Sequence, residues 1–99
     1  MDKGKQEPRG VPLDFEGVET KYANLAILSH SQAEFIIDFA RILPGLKKPE
    51  VQERIIMTPL HTKLLLHALS ENMKKYEDRF GKIEIPAGAK KGTITGFKA

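Results

Sequence analysis

The sequence predicts an α+β fold in which a three-stranded antiparallel sheet is followed by one long C-terminal helix, in the order β-β-β-α. Three observations predict it. Three stretches rich in β-branched and aromatic residues come first, short polar or Pro-Gly turns separate them, and an apolar stripe with helical spacing comes last. The chain has 99 residues, so these elements fit one domain with a thin core.

The three predicted strands cover residues 22–29, 34–43 and 51–58. The second strand is the most informative, because Phe35, Ile37 and Phe39 fall on one face while the other face is also apolar apart from Asp38. A strand with two apolar faces needs cover on both sides. We expect Asp38 to lie at the surface opposite Arg54 of the third strand, in preference to being a buried acid in a binding cleft.

The helix has a clear predicted start and end. Thr58 can cap it with its hydroxyl, and proline is tolerated at the first helical position because it lacks an N–H that would be unpaired there. Gly81 ends it as a left-handed cap. Its apolar stripe is formed by Leu65, Leu69, Met73, Tyr76 and Phe80. We expect this stripe, centred on Leu69, to be buried against one face of the sheet.

The number of apolar faces predicts the oligomeric state. One helix covers only one face of a three-stranded sheet, whereas the second strand is apolar on both faces. A partner sheet, most simply that of a second copy of the chain, would cover the remaining face. The sequence therefore predicts a homodimer.

Composition divides the chain into three parts: a flexible N-terminal arm over residues 1–20, the β-β-β-α domain over residues 21–86, and a flexible basic tail over residues 87–99. The formal net charge is +3, and residues 82–99 alone have a net charge of +3. A nucleic-acid binder usually concentrates basic residues on the folded domain. We expect a cytoplasmic protein without a signal peptide or membrane-spanning helix, since cysteine is absent and the apolar runs are short.

Catalytic, metal and cofactor sites are not expected. His61 and His67 are six residues apart on the predicted helix, whereas helical two-histidine metal sites use a spacing of four. A serine, a histidine and Asp38 could form a triad on paper, but no sequence motif would hold them together. No phosphate-binding glycine motif is present. The sequence therefore predicts a protein that is not an enzyme and that needs no cofactor.

One candidate binding surface combines aromatic, polar and charged residues: Tyr22, Asn24, Asp38, Lys47, Lys48 and Arg54. Small sheets bind single-stranded nucleic acid by stacking bases on aromatic rings beside a basic groove. We expect Phe35 and Phe39 to fill the core instead. The favoured function is therefore a non-enzymatic binding or interaction protein that acts as a homodimer, with an unidentified protein partner. The alternative is a single-stranded nucleic-acid binder that uses the open sheet face and the basic tail.

Short motifs in a fixed order extend over residues 22–83. They are Tyr22-Ala23-Asn24, Ser31, Phe35, Asp38-Phe39, Met57-Thr58-Pro59, His61, Lys63, Leu66, Leu69, Tyr76-Glu77, Phe80-Gly81 and Ile83. The set resembles a family of short bacterial and archaeal proteins, domain of unknown function 3467 (DUF3467). The resemblance implies a strand-rich unit with a C-terminal helix and implies no activity. This chain departs from the family pattern at Ala40, where glycine is common after the Asp-Phe pair.

Overall fold

The structure, a computed structural model, describes residues 11–86 and 97–98 and confirms the predicted order of three antiparallel strands and one long helix. The elements are β1 (Leu25–His30), β2 (Phe35–Arg41), β3 (Glu50–Met57), α1 (Pro59–Phe80) and the two-residue strand β4 (Phe97–Lys98). The predicted strand bounds differ from these by no more than a few residues, and the helix begins and ends as predicted.

The sheet has the strand order β3-β2-β1-β4, so β2 lies between the other two long strands. It pairs antiparallel with both, whereas β4 pairs parallel with β1, with Phe97 beside Ala26. This last pairing was not predicted, because residues 87–99 were interpreted as a tail. Residues 87–96 and 99 lie outside the described residues. Residues 1–10 of the predicted arm also lie outside them.

Two turns set the strand pairing. Between β1 and β2, the N–H of Ser31 donates to the Glu34 carbonyl at 2.9 Å, which closes a short hairpin. After β2, the N–H of Leu46 donates to the Leu43 carbonyl at 3.1 Å, and Gly45 between them has a φ of +90°. Proline at the second position and a glycine with positive φ at the third are the signature of a type II turn.

The buried core of the described residues is small and lies entirely in the sheet. Its members are Leu25, Ala26, Ile37 and Ala40. Residues directly opposite each other on paired strands share a face. Ala26 and Ile37 are therefore on the same face as Phe35, which we call the Phe35 face, while Leu25 and Ala40 are on the Asp38 face. Ala40 is fully buried, so its departure from the family pattern still keeps a small side chain at this position.

Local hydrogen bonds define both ends of α1. The Thr58 hydroxyl accepts from the backbone N–H of His61 at 3.1 Å and lies 2.6 Å from its Nδ1, and Pro59 is the first helical residue. At the other end the N–H of Gly81, whose φ is +103°, donates to the Glu77 carbonyl at 2.9 Å. The side chain of Glu77 then accepts from the N–H of Ile83 at 2.9 Å. The helix therefore stops at the predicted residue, but Gly81 has a ψ of 159° and does not adopt the expected left-handed helical conformation.

The described residues do not bury the α1 stripe, so the expectation that it is buried against the sheet is wrong. None of the 22 residues of α1, all of which are described, is buried. Leu69, the centre of the stripe, is 56% exposed, and Phe80 is 66% exposed. The helix starts beside the Phe35 face but does not pack against it along its length. Sequence periodicity identifies which residues of a helix are apolar, but it does not identify the surface that covers them.

Candidate functional site

Asp38 and Arg54 form a two-point ion pair across β2 and β3. They lie directly opposite each other in the register. The Nε and Nη2 atoms of Arg54 donate to the two carboxylate oxygens of Asp38 at 2.7 and 3.1 Å. The Asp38 side chain is 15% exposed and that of Arg54 is 65% exposed. This confirms the prediction that Asp38 lies opposite Arg54 on the neighbouring strand. The expected surface position is wrong, because β2 lies inside the sheet and the Asp38 side chain is mostly covered.

The ion pair holds both groups in their charged forms. The hydrogen bonds from Arg54, aided by its positive charge, lower the pKa of Asp38 below its ordinary value, although partial burial opposes the shift. The pKa of Arg54 is raised for the reciprocal reason. A carboxyl with a lowered pKa is a poor proton donor near neutral pH. The arrangement therefore favours strand pairing over acid–base chemistry.

Asn24, just before β1, adds one more pair of hydrogen bonds to the pairing of β1 with β2. Its side-chain Nδ2 donates to the Ile42 carbonyl at 3.1 Å, and its Oδ1 accepts from the Ile42 N–H at 2.8 Å. Its own N–H donates to the Ala40 carbonyl at 3.0 Å. The amide thus exchanges two hydrogen bonds with Ile42 as a backbone pair would. These contacts give Asn24 a structural role at the end of the sheet.

The other three candidate residues remain apart from the ion pair. Tyr22 is 61% exposed ahead of β1. Lys47 and Lys48 are exposed in the segment that joins β2 to β3. Among the described residues, no hydrogen bond, ion pair or ring contact joins these three side chains to Asp38 or Arg54. Of the six predicted surface residues, the structure therefore brings only Asp38 and Arg54 together, and a shared binding role stays a prediction.

A cavity of about 540 Å³ beside Lys21 was not predicted. The Nζ of Lys21 donates to Glu53 at 3.1 Å and to the Gln52 carbonyl at 3.4 Å, and lies 3.6 Å from Glu19. The hydrogen bond and charge of Glu53 raise the pKa of Lys21. Because Lys21 precedes β1 whereas Glu53 is on β3, the segment before β1 crosses β2 on the Phe35 face. Pairing between residues this far apart in sequence leaves no periodic signal.

A second cavity, of about 580 Å³, lies between the other end of the Phe35 face and the first half of α1. We call it the helix groove. The sheet contributes Leu28, Phe35 and Ile37, and the helix contributes Leu65, Leu66 and Leu69 among others. Among the described residues that line it, only Thr62 and Lys63 have polar side chains. The groove therefore suits an apolar segment and not a polar ligand. The sequence signal for the groove is the apolar stripe of α1, which is expected from the sequence to pack against the sheet.

The histidines occupy separate environments. His30 stacks on Phe35 with ring centroids 5.2 Å apart, and His61 contacts the Thr58 hydroxyl. Within residues 11–86 and 97–98, no group of three or more His, Cys, Asp or Glu side chains could hold a metal ion. No described helix is both long and apolar enough to cross a membrane.

Comparison with known proteins supports the resemblance seen in the sequence. Neither the curated proteins nor the solved structures include a match to this chain. The sequence model of one family does match, over residues 1–85, and that family is described as a protein of unknown function, DUF3467. The match covers the arm, all three long strands and the whole of α1. The chain therefore belongs to the DUF3467 family.

Proposed function

We propose that this protein is a non-enzymatic interaction protein that works as a homodimer, with the apolar stripe of α1 as its association surface. The observation that carries the proposal is the exposure of that stripe. The five side chains of the stripe and that of Leu66 beside them are between 41% and 66% exposed: Leu65, Leu66, Leu69, Met73, Tyr76 and Phe80. Monomeric proteins rarely expose so large a contiguous apolar patch.

The exposed area is of the size that a stable dimer needs. A large aromatic side chain can bury about 150–250 Å². Leucine and methionine side chains are at the lower end of this range, so six such side chains that are roughly half exposed present on the order of 600 Å². A standard interface buries about 800 Å² on each partner. The apolar residues of the adjoining helix groove supply the remainder. The small sheet core gives little stability by itself, so the area buried by association would add substantially to the stability of the fold.

The outer edge of β3 is a less suitable surface for association. A β-bulge interrupts the pairing of β2 with β3 after Phe39, and Lys21 donates to the Gln52 carbonyl at this point. Glu50, Glu53 and Arg54 place charges along the same strand. Bulges and charged residues are devices that keep edge strands from pairing with another chain. The helix stripe has no comparable protection.

The proposal of a non-enzymatic role draws support from the charged groups with shifted pKa values. Asp38 and Lys21 both have pKa shifts that favour their charged forms, because each has an oppositely charged partner. Catalytic acids and bases usually have pKa values brought towards neutrality instead. The partners of Asp38 and Lys21 therefore fit a structural role for both groups.

The nucleic-acid alternative draws less support from the geometry. Arg54 is engaged with Asp38, and Lys47 and Lys48 lie in the connecting segment rather than on the sheet face. Phosphate contacts would make binding to a single-stranded oligonucleotide fall steeply with salt concentration. We expect no such salt-dependent binding, and a steep dependence would favour the alternative.

Light scattering tests the homodimer. We expect a mass twice that of the 11.1 kDa chain from low to high micromolar concentration. Leu69→Arg should lower the mass to that of one chain, because it places a charge in the middle of the stripe. Glu71→Arg adds the same side chain to the opposite side of α1 and should leave the dimer intact. A monomeric mass for the unsubstituted protein with a cooperative unfolding transition would refute the proposal. If both substitutions changed the mass equally, the stripe would not be the surface through which the two copies associate.

A further inference from the structure

The helix groove is lined by the Phe35 face and by the first half of α1, and the described residues leave its remaining side open. We infer that the second half of α1 from the other copy fills it, with the two helices antiparallel, so that each copy completes the groove of its partner. This inference rests on the proposed homodimer and specifies how the two copies meet. Its occupant is a segment of this same chain, residues 70–80.

The position of the groove along α1 points to this occupant. The helical residues that line the groove extend from Pro59 to Leu69. The helix continues for another eleven residues, which is about 16 Å at 1.5 Å per residue. This second half carries Met73, Tyr76 and Phe80 on the same side as Leu65 and Leu69. Each chain therefore has an apolar groove beside one half of its helix and an uncovered apolar surface on the other half.

Symmetry brings these two halves together. Two identical chains associate most often about a two-fold axis, where each contact occurs twice. Leu69 lies at the middle of α1, so antiparallel helices that cross at Leu69 place Met73 opposite Leu65. They also place Tyr76 and Phe80 against the first turns of the partner helix, where the groove lies. A parallel arrangement would place Phe80 against Phe80 and would bring the two grooves together, so that neither groove meets the uncovered second half of the partner helix.

The side chains of the second half suit the groove chemically. The rings of Tyr76 and Phe80 already contact each other, with centroids 5.0 Å apart, so a compact aromatic pair is formed before association. The groove offers Phe35 and leucine side chains to such a pair. Tyrosine usually finds a hydrogen-bond partner when buried, and Thr62 and Lys63 are polar groups at the groove.

The absence of cysteine from the chain allows a direct test with single-cysteine variants of the full-length protein. Leu69→Cys should form a disulfide-linked dimer readily on mild oxidation, since the two residues meet at the two-fold axis. Phe80→Cys should form little, because its counterpart lies about 33 Å away at 1.5 Å per residue. Lys74→Cys, on the solvent side of α1, is the matched control for random collision and should behave like Phe80→Cys.

The pattern of cross-linking distinguishes the possible arrangements of the two helices. Cross-linking of both Leu69→Cys and Phe80→Cys would indicate parallel helices and overturn the inference. Cross-linking of neither, in a protein with a dimeric mass, would also overturn it while leaving the homodimer proposal intact. A monomeric mass would refute the homodimer proposal itself.

A second pair of variants covers the case in which Leu69→Cys does not fold. Leu65→Cys and Met73→Cys, each alone and then mixed after unfolding and refolding together, should cross-link chiefly in the mixture. This result requires antiparallel helices, since residue 65 then faces residue 73. Cross-linking by each variant alone would overturn the inference. Circular dichroism establishes that each variant keeps its helix.

Discussion

The sheet and the helix of this protein hold their structures in different ways. In the sheet, backbone hydrogen bonds join β1, β2 and β3, and these strands bury Leu25, Ala26, Ile37 and Ala40. In α1, the backbone bonds and both caps are also satisfied, yet no side chain is buried. Isolated helices are marginal in water, and most helices in proteins draw their stability from a packed apolar face. The comparison indicates that α1 is the element that needs a partner surface.

The largest expected effect is on the stability of the sheet, and it tests whether the sheet has its own buried core. Ile37→Ala should lower the free energy of unfolding by about 2–5 kcal/mol, the range for truncating a buried aliphatic side chain, because Ile37 is only 5% exposed. Ile56→Ala removes the same atoms from a side chain that is 58% exposed on β3. It should lower the free energy of unfolding by no more than about 1 kcal/mol. Urea unfolding measures both.

Equal losses from the two isoleucine substitutions would contradict the comparison. They would mean that the Asp38 face, which carries Ile56, is covered in the native assembly to the same degree as Ile37. The two copies would then meet through their sheets, and the helix stripe would no longer be the surface that needs a partner.

A smaller effect should come from the cap of α1. Thr58→Ala removes the oxygen that accepts from the His61 N–H at 3.1 Å and should lower the free energy of unfolding by about 1 kcal/mol. Thr58→Ser keeps the hydroxyl and should retain most of that stability. Urea unfolding followed by circular dichroism at a helix-sensitive wavelength measures the effect. If Thr58→Ala left the free energy of unfolding unchanged, tertiary contacts and not local hydrogen bonds would stabilise the start of the helix.

The smallest effect should come from the Asp38–Arg54 pair and should depend on pH. Because the pKa of Asp38 is lower in the folded protein than its ordinary value of 3.8, the ionised carboxylate stabilises the fold above that value. The stabilisation is lost as the pH falls through the lower, folded-state pKa. Asp38→Asn should therefore reduce the urea midpoint slightly at pH 7.

The difference between Asp38→Asn and the unsubstituted protein should disappear at pH values well below 3.8. Exposed ion pairs contribute little, and the Arg54 side chain is largely exposed. A difference that persisted unchanged at low pH would mean that the ion pair is not what the substitution removes. Ile56→Ala, which changes no titratable group, is the control across the same pH range.

Much of the fold could be predicted because its signals are local. The Thr58-Pro59 start and the Gly81 end of α1 depend on residues within one turn, and Pro44-Gly45 identifies the turn after β2. The pairing of Asp38 with Arg54 followed from strand register. The candidate surface was less predictable, because Tyr22 and Lys47 were grouped by residue type without knowledge of where they lie. The Lys21–Glu53 contact joins residues that are 32 positions apart and has no local signal.

The sequence alone was enough to predict the three long strands β1, β2 and β3, the start and end of α1, and the side of that helix that is apolar. These properties depend on backbone preferences and on the periodicity of side chains. The tertiary structure was needed to show that the described residues leave the apolar side of α1 uncovered, and that a groove lies between its first half and the Phe35 face. The direction in which α1 leaves β3 depends on the geometry around Met57 and Thr58. No pattern of apolar residues encodes that angle, because the same stripe can pack on its own sheet or on that of another chain.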